Sequence, residues 1–104
     1  MKLIGTHNYF VYIVTNYNKT VLYTGVTNNL KKRIYEHEQE SKKIGKKHFT
    51  GKYKTFYLVY YERFDFIEHA IGREKEIKGW TRKKKEMIIT NFNKEWRFLN
   101  DEIE

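Results

Sequence analysis

The apolar positions of this chain fall into short unbroken runs and helical stripes, separated by polar stretches that contain no proline. Residues 9–14, YFVYIV, are aromatic and β-branched without a polar break, the pattern of a strand covered on both faces. The Asn-rich NYNKT at 16–20 signals a turn, and VLYTG at 21–25 resumes the apolar run, so the two segments predict an antiparallel hairpin. Thr27 or Asn28 is placed to cap a helix over about 29–40, because either side chain can accept a first-turn N–H. Leu30 and Ile34 form the narrow apolar stripe of that helix, and at 100° per residue Arg33 and His37 fall beside the stripe rather than opposite it.

Residues 41–54, SKKIGKKHFTGKYK, hold six lysines and two glycines with little periodicity, and predict a basic loop. TFYLVYYERF at 55–64 predicts a third strand, whose weak alternation points to the centre of a sheet. Asp65 and Glu68 have the spacing of a capping box for a second helix over about 66–79. Projected on that helix, Ile67, Ala70, Ile71 and Ile77 share a face with Glu74 in its middle. A carboxylate on an apolar face needs a partner, and a metal ion or a phosphate-binding arginine network would provide one. Gly79 closes the second helix, and Thr81 can cap a third, RKKKEMIITNF, whose apolar positions Ile88, Ile89, Phe92 and Trp96 recur at helical spacing. The acidic tail after residue 97 is expected to fray.

Composition narrows the partners. A chain of 104 residues fits one small domain with a core at about 9–96, and nine Tyr, seven Phe and two Trp supply large buried areas without length. The net charge of +8 and pI near 9.6 favour a polyanion, nucleic acid before an anionic membrane. No apolar run approaches the roughly 18 residues of a span, and the apolar part of MKLIGTHNYF is too short for a signal peptide. The absence of cysteine removes disulfides and thiolate zinc sites and is compatible with a cytoplasmic setting. Lys42, Lys43, Lys46, Lys47 and Lys52 in the loop, with Arg82, Lys83, Lys84 and Lys85 at the start of the third helix, are the candidate phosphate contacts. Four cations in a first helical turn oppose the helix dipole, which marks that cluster as an anion surface.

Two tyrosines on paired strands, an arginine and histidine on the next helix and an inward glutamate on the one after resemble the GIY-YIG nuclease superfamily. Phe10-Val11-Tyr12 stands at the first motif and Tyr23-Thr24-Gly25 at the second. TNNLKKRIYEH carries Arg33 and His37 at the family spacing, and AIGREKEIKGWTRKKKEMI is similar to the stretch bearing the metal-binding glutamate, here Glu74. NFNKEW looks like the corresponding segment of small stand-alone bacterial members related to the nuclease module of UvrC-type repair proteins. Phe10-Val11 replaces Gly-Ile and Thr24 replaces Ile, while both tyrosines and Gly25 remain. Lys94 stands where the small members usually have proline, which makes Asn93 a further candidate whose role is open.

The resemblance implies an α+β fold, a small three-stranded antiparallel sheet flanked by about three helices. It also implies a DNA endonuclease, with RNA left open as substrate, that uses one Mg²⁺ or Mn²⁺ ion. Glu74 would ligate the ion, since Mg²⁺ prefers oxygen ligands and keeps much of its hydration. Arg33 offers a planar fork matched to phosphate oxygens. Tyr12 would orient or deprotonate the attacking water with Tyr23 hydrogen-bonding nearby, and positive surroundings would have to favour the Tyr12 phenolate. His37, near its ordinary 6.5, suits either proton transfer or phosphate binding. Gly25 provides the backbone turn of the second motif.

Singly, each residue has a plain structural explanation: core tyrosines, a solvated Arg/His face, a snorkelling glutamate. An ordered set across four elements is not explained that way. The alternative function is a nucleic-acid-binding module without turnover, built on the lysine loop and the lysine cluster. Strong sequence specificity is not expected from so small a basic surface, so cutting would be structure-selective or weakly selective.

Overall fold

The computed structural model describes residues 7–43 and 54–103, and Lys46, Lys47 and Lys52 lie outside the described residues. Three strands, β1 (Tyr9–Thr15), β2 (Leu22–Thr27) and β3 (Tyr57–Phe64), form an antiparallel sheet in the order β2-β1-β3. Helix α1 (Leu30–Ser41) follows β2, and α2 (Ile67–Lys78) and α3 (Arg82–Phe92) follow β3, giving the expected α+β architecture. No helix among the described residues is long and apolar enough to cross a membrane.

The unbroken apolar run of β1 is explained by its central position, with Val11 to Thr15 buried on both faces. Val11 and Ile13 point to one side, where Ala70 and Ile77 of α2, Ile89 of α3 and Tyr60 complete a cluster. Tyr12 and Val14 point to the other, where they meet Leu30 and Ile34 of α1, Leu58 and Leu99. Each such fully buried Ile or Leu contributes about 1.5–3 kcal/mol. The sheet is thus a partition with α2 and α3 behind it and α1 in front.

Several local expectations are corrected. Asn29, not Thr27 or Asn28, caps α1: its side chain accepts from Lys32 N at 3.1 Å, and Thr27 Oγ1 accepts the Asn29 N–H. Asp65 makes no capping box, because it pairs with Arg63 at 2.7 Å and the α2 N-cap is Phe66 without a side-chain bond. Ile67 and Ile71 are exposed, and only the 70/77 edge of that face is buried. Trp96 lies beyond α3, which ends at Phe92.

The third strand sits at an edge, not the centre. Its weak alternation comes from a bulge: Ile13 pairs with Tyr60 but Val14 with Leu58, so Val59 is an extra residue and three consecutive positions are buried. The open edge is covered by the tail expected to fray. Leu99 N donates to Leu58 O at 2.8 Å, and the Asn100 amide spans Leu58 N and Phe56 O. Leu99 is buried, and a 3₁₀ turn, Asn100–Glu102, closes the segment. Covering an edge this way satisfies its backbone groups and removes a template for aggregation.

Candidate active site

The front face of the sheet and the inner face of α1 enclose a polar cluster. Tyr12 and Gly25 are direct register partners on β1 and β2, and the Tyr12 phenol lies over the glycine backbone. A Cβ at position 25 would lie 2.5 Å from Tyr12 Cζ and 2.9 Å from Cε1, closer than packed atoms approach. Gly25 therefore serves close packing of the ring within a strand rather than a chain reversal. The phenol reaches His37 on α1, with Tyr12 Oη 2.8 Å from His37 Nε2. His37 lies one turn beyond Ile34 and is buried with it, inside the apolar stripe rather than beside it.

Tyr23, opposite Val14, shares this face, and its ring stands edge-on to His37 at 5.6 Å between centroids. The imidazole is thus wedged between two phenols, with the Tyr12 ring centroid at 5.7 Å. Arg33, one turn before His37, brings its charge against the Tyr12 phenol and pairs with Glu36 at 3.2 Å. The 2.8 Å contact is made by the phenol O–H donating to Nε2 in one imidazole tautomer and accepting from Nε2–H in the other.

Burial sets the protonation states. It pushes Tyr12 up to about 12, overriding the opposing pull of Arg33, while Tyr23 and Glu74 add to the rise. It also pushes His37 down to about 4, assisted by the Arg33 charge. Two sequence expectations are thereby corrected: the positive surroundings do not outweigh desolvation at Tyr12, and His37 does not sit near 6.5. Around neutral pH both groups are uncharged and hydrogen-bonded to each other.

Glu74 is close enough for its charge to act on Tyr12. Its side chain is 15% exposed and pairs with Lys78 one turn later at 3.1 Å, while Lys78 Nζ stands 5.8 Å over the Tyr23 ring. The structure thus brings Tyr12, Tyr23, Arg33, His37 and Glu74 into one neighbourhood from four elements. Lys78 was missed by sequence reasoning, although its i,i+4 spacing from Glu74 is a readable signal. Among the described residues no cluster of three or more His, Cys, Asp or Glu side chains forms a metal cage. One hard carboxylate oxygen donor suits a largely hydrated Mg²⁺ or Mn²⁺, so the donor chemistry fits the implied ion with Glu74 as its protein ligand.

The basic candidates divide. Lys42 and Lys43 are exposed at the end of α1, and Lys83 and Lys84 are exposed at the start of α3, where Lys84 Nζ lies 4.3 Å over the Trp80 ring. Lys85 is half-buried. Arg82 is a tether: its guanidinium donates to Lys19 O at 2.9 Å, Thr20 O at 2.8 Å and Glu86 at 2.9 Å, tying α3 to the β1–β2 turn. Asn93 is also engaged structurally. Its Nδ2 donates to Val59 O and Arg97 O, and its Oδ1 accepts from Arg97 N.

A hairpin that carries one phenol on each strand, with a helical Arg and His laid across them and a glutamate on the later helix, defines a catalytic domain of GIY-YIG type. The GIY-YIG catalytic domain model matches residues 8–87, and the chain belongs to that family. It is 37% identical over 84 residues to a UPF0213 protein of Natronomonas pharaonis, a match that takes in 81% of this chain and 93% of that one. It is 35% identical over 83 residues to a UPF0213 protein of Bacillus pumilus, covering 80% of each. A UPF0213 protein of Bacillus halodurans solved by solution NMR is 29% identical, with a TM-score of 0.49 over 80% of this chain and 83% of that chain. The chain is thus similar to small, stand-alone members of the family.

Proposed function

We propose that this protein is a metal-dependent endonuclease that hydrolyses phosphodiester bonds in DNA, with structure-selective or weakly sequence-selective cutting. The observation that carries the reading is the buried Tyr12–His37 hydrogen bond with the Arg33 charge beside the same phenol. A core tyrosine needs one partner for its hydroxyl; here it has an imidazole and a guanidinium charge, next to a mostly buried glutamate.

In this reading Arg33 binds a non-bridging phosphate oxygen, stabilising the charge that builds in the transition state. A free phenolate is rare at neutral pH when Tyr12 is held near 12, so the proton moves by relay. As the water attacks phosphorus, its O–H bond breaks, the phenol oxygen takes that proton, and the phenol's own proton passes to His37 Nε2 over the 2.8 Å bond. The P–O bond to the departing sugar breaks, and its oxygen leaves with the electron pair and takes a proton from solvent water. The arriving phosphate charge favours the imidazolium and helps His37 hold the proton. Tyr23 packs against His37 and keeps the ring in place. The ion at Glu74, when bound, supplies Lewis-acid polarisation of the phosphate.

Purified protein with Mg²⁺ or Mn²⁺ is expected to cleave members of a panel of single-stranded, duplex, flap and junction DNA, and Glu74→Ala to abolish cleavage with the fold intact. Unaltered activity in that variant would refute the site. The second reading, binding without turnover, draws on the neutrality of both Tyr12 and His37 and on the exposed lysines. It predicts affinity falling with salt at a log–log slope near −0.9 per phosphate contacted on duplex DNA, and no cleavage of any nucleic acid.

A further inference from the structure

One strand away from Tyr12, a cavity of about 370 Å³ opens at the β3 edge of the sheet. Tyr61, the register partner of Tyr12 on β3, forms one wall, Phe92 from the end of α3 another, and Leu99 the floor. The rings of Tyr61 and Phe92 meet edge to face at 5.2 Å, and Phe10 continues the aromatic row at 6.3 Å from Tyr61. Phe92 remains 47% exposed although it touches Tyr60 and Tyr61. An accessible aromatic ring beside a cavity offers a flat partner a surface to stack on.

We propose that this cavity is a stacking subsite for an unpaired nucleobase flanking the bond to be cut. The inference rests on the nuclease reading for its register and on the cavity's own chemistry for its ligand. Lys94 and Arg97 at the rim are matched by Glu95 and Glu102, and Arg97 pairs with Glu102 at 3.0 Å. The two cations and two carboxylates cancel, so the rim favours a neutral ring over a phosphate. Position points the same way. The backbones of Tyr61 and Tyr12 are register partners about 5 Å apart, so a strand whose phosphate meets Arg33 passes within a nucleotide or so of Tyr61. A base paired within a duplex cannot enter a side cavity, so substrates with unpaired nucleotides at the cut are preferred. Aromatic stacking of this kind tolerates any base, which fits a domain with weak sequence selectivity.

The test uses the full chain in chelator, so that binding is read without cleavage. The probe is a single-stranded deoxyoligonucleotide carrying 2-aminopurine, compared with the same strand abasic at that position. The expected result is quenched fluorescence on binding and an abasic strand bound at least about fivefold more weakly. Both effects should vanish in Phe92→Leu and weaken in Tyr61→Leu, with circular dichroism confirming that each variant is folded. An abasic strand bound as tightly as the intact one, or quenching that survives both substitutions, overturns the subsite. Wild-type cleavage is scored separately with Mg²⁺: quenching without any cleavage supports the subsite while defeating the nuclease reading, and cleavage without a base effect defeats the subsite alone.

Discussion

The phenol of Tyr12 occupies the space in which a side chain at Gly25 would stand. The two residues are register partners on adjacent strands, and the ring is pinned at its far end by His37, 2.8 Å from the hydroxyl. The glycine is therefore a condition for the position of the phenol.

Gly25→Ala tests that relationship. A methyl 2.5 Å from Cζ must displace either the β2 backbone or the ring, and the ring can leave only by giving up His37. The expected cost is about 1–3 kcal/mol in urea unfolding, typical of an overpacked site, with cleavage lost in the protein that remains folded. A variant as stable and as active as wild type would show that the ring does not depend on this contact.

Tyr12→Phe keeps the ring and removes only the hydroxyl. The 2.8 Å bond to His37 Nε2 is lost inside the protein, at a cost of about 1 kcal/mol. Cleavage is expected to fall by about 10²-fold or more, the usual scale for removing a proton-transfer group. Single-turnover rates measured beside oligonucleotide affinity separate the two readings, since a pure binder would keep its affinity and have no rate to lose.

The depressed His37 makes a prediction about acid. Its value falls from 6.5 in the unfolded chain to about 4 when folded, so between those values the unfolded state holds the proton and the folded state does not. Stability from this group is therefore fully present above about 6.5 and is lost as pH drops through the window toward 4, by up to about 3 kcal/mol. His37→Asn removes the titration. The difference between wild-type and variant unfolding free energies should shift across that window and stay flat above it. A difference that stays constant from neutral pH down to 4 would mean His37 is not desolvated as the structure places it.

The phenols predict the alkaline limb. Burial raises Tyr12 and Tyr60 to about 12, so their folded-state stabilisation is present below 10 and is lost as pH rises through 10 to 12. Absorbance titration near the phenolate band should show a late-ionising fraction. In Tyr12→Phe that fraction should shrink but not disappear, because Tyr60 still contributes. A late fraction unchanged by the substitution would remove Tyr12 from the buried set.

Much of this arrangement was legible from residue order. The hairpin followed from two apolar runs around NYNKT, and the grouping of Tyr12, Tyr23, Arg33, His37 and Glu74 was implied by the family resemblance that their order along the chain carries. The misread parts depend on interactions that periodicity does not encode. The bulge at Val59 erased the alternation by which an edge strand is recognised. Leu99 and Asn100 dock on backbone groups of that edge, which no side-chain pattern announces. The protonation states of Tyr12 and His37 are consequences of depth, and depth was set by α1 folding over β1. The spacing of Arg33 and His37 showed their shared side of the helix, but not that the sheet would close over one and leave the other half open.

Asn93 supplies the last prediction, because the bulge creates the need it meets. An extra residue in a strand leaves ladder groups unpaired, and the Val59 carbonyl takes its hydrogen bond from Asn93 Nδ2 at 3.1 Å. The same amide holds Arg97 at both N and O, fixing the path by which the chain leaves α3 and returns to cover β3. Asn93→Ala should therefore act first on the edge rather than on the centre of the sheet, at a cost of about 2–4 kcal/mol for several bonds to buried groups. Hydrogen exchange distinguishes the two. Amides of Leu58 and Leu99 should lose protection under conditions where that of Ile13, on the central strand, stays protected. Equal loss at all three would place Asn93 in the general stability of the sheet, and no loss would mean the tail is held by Leu99 and Asn100 without it.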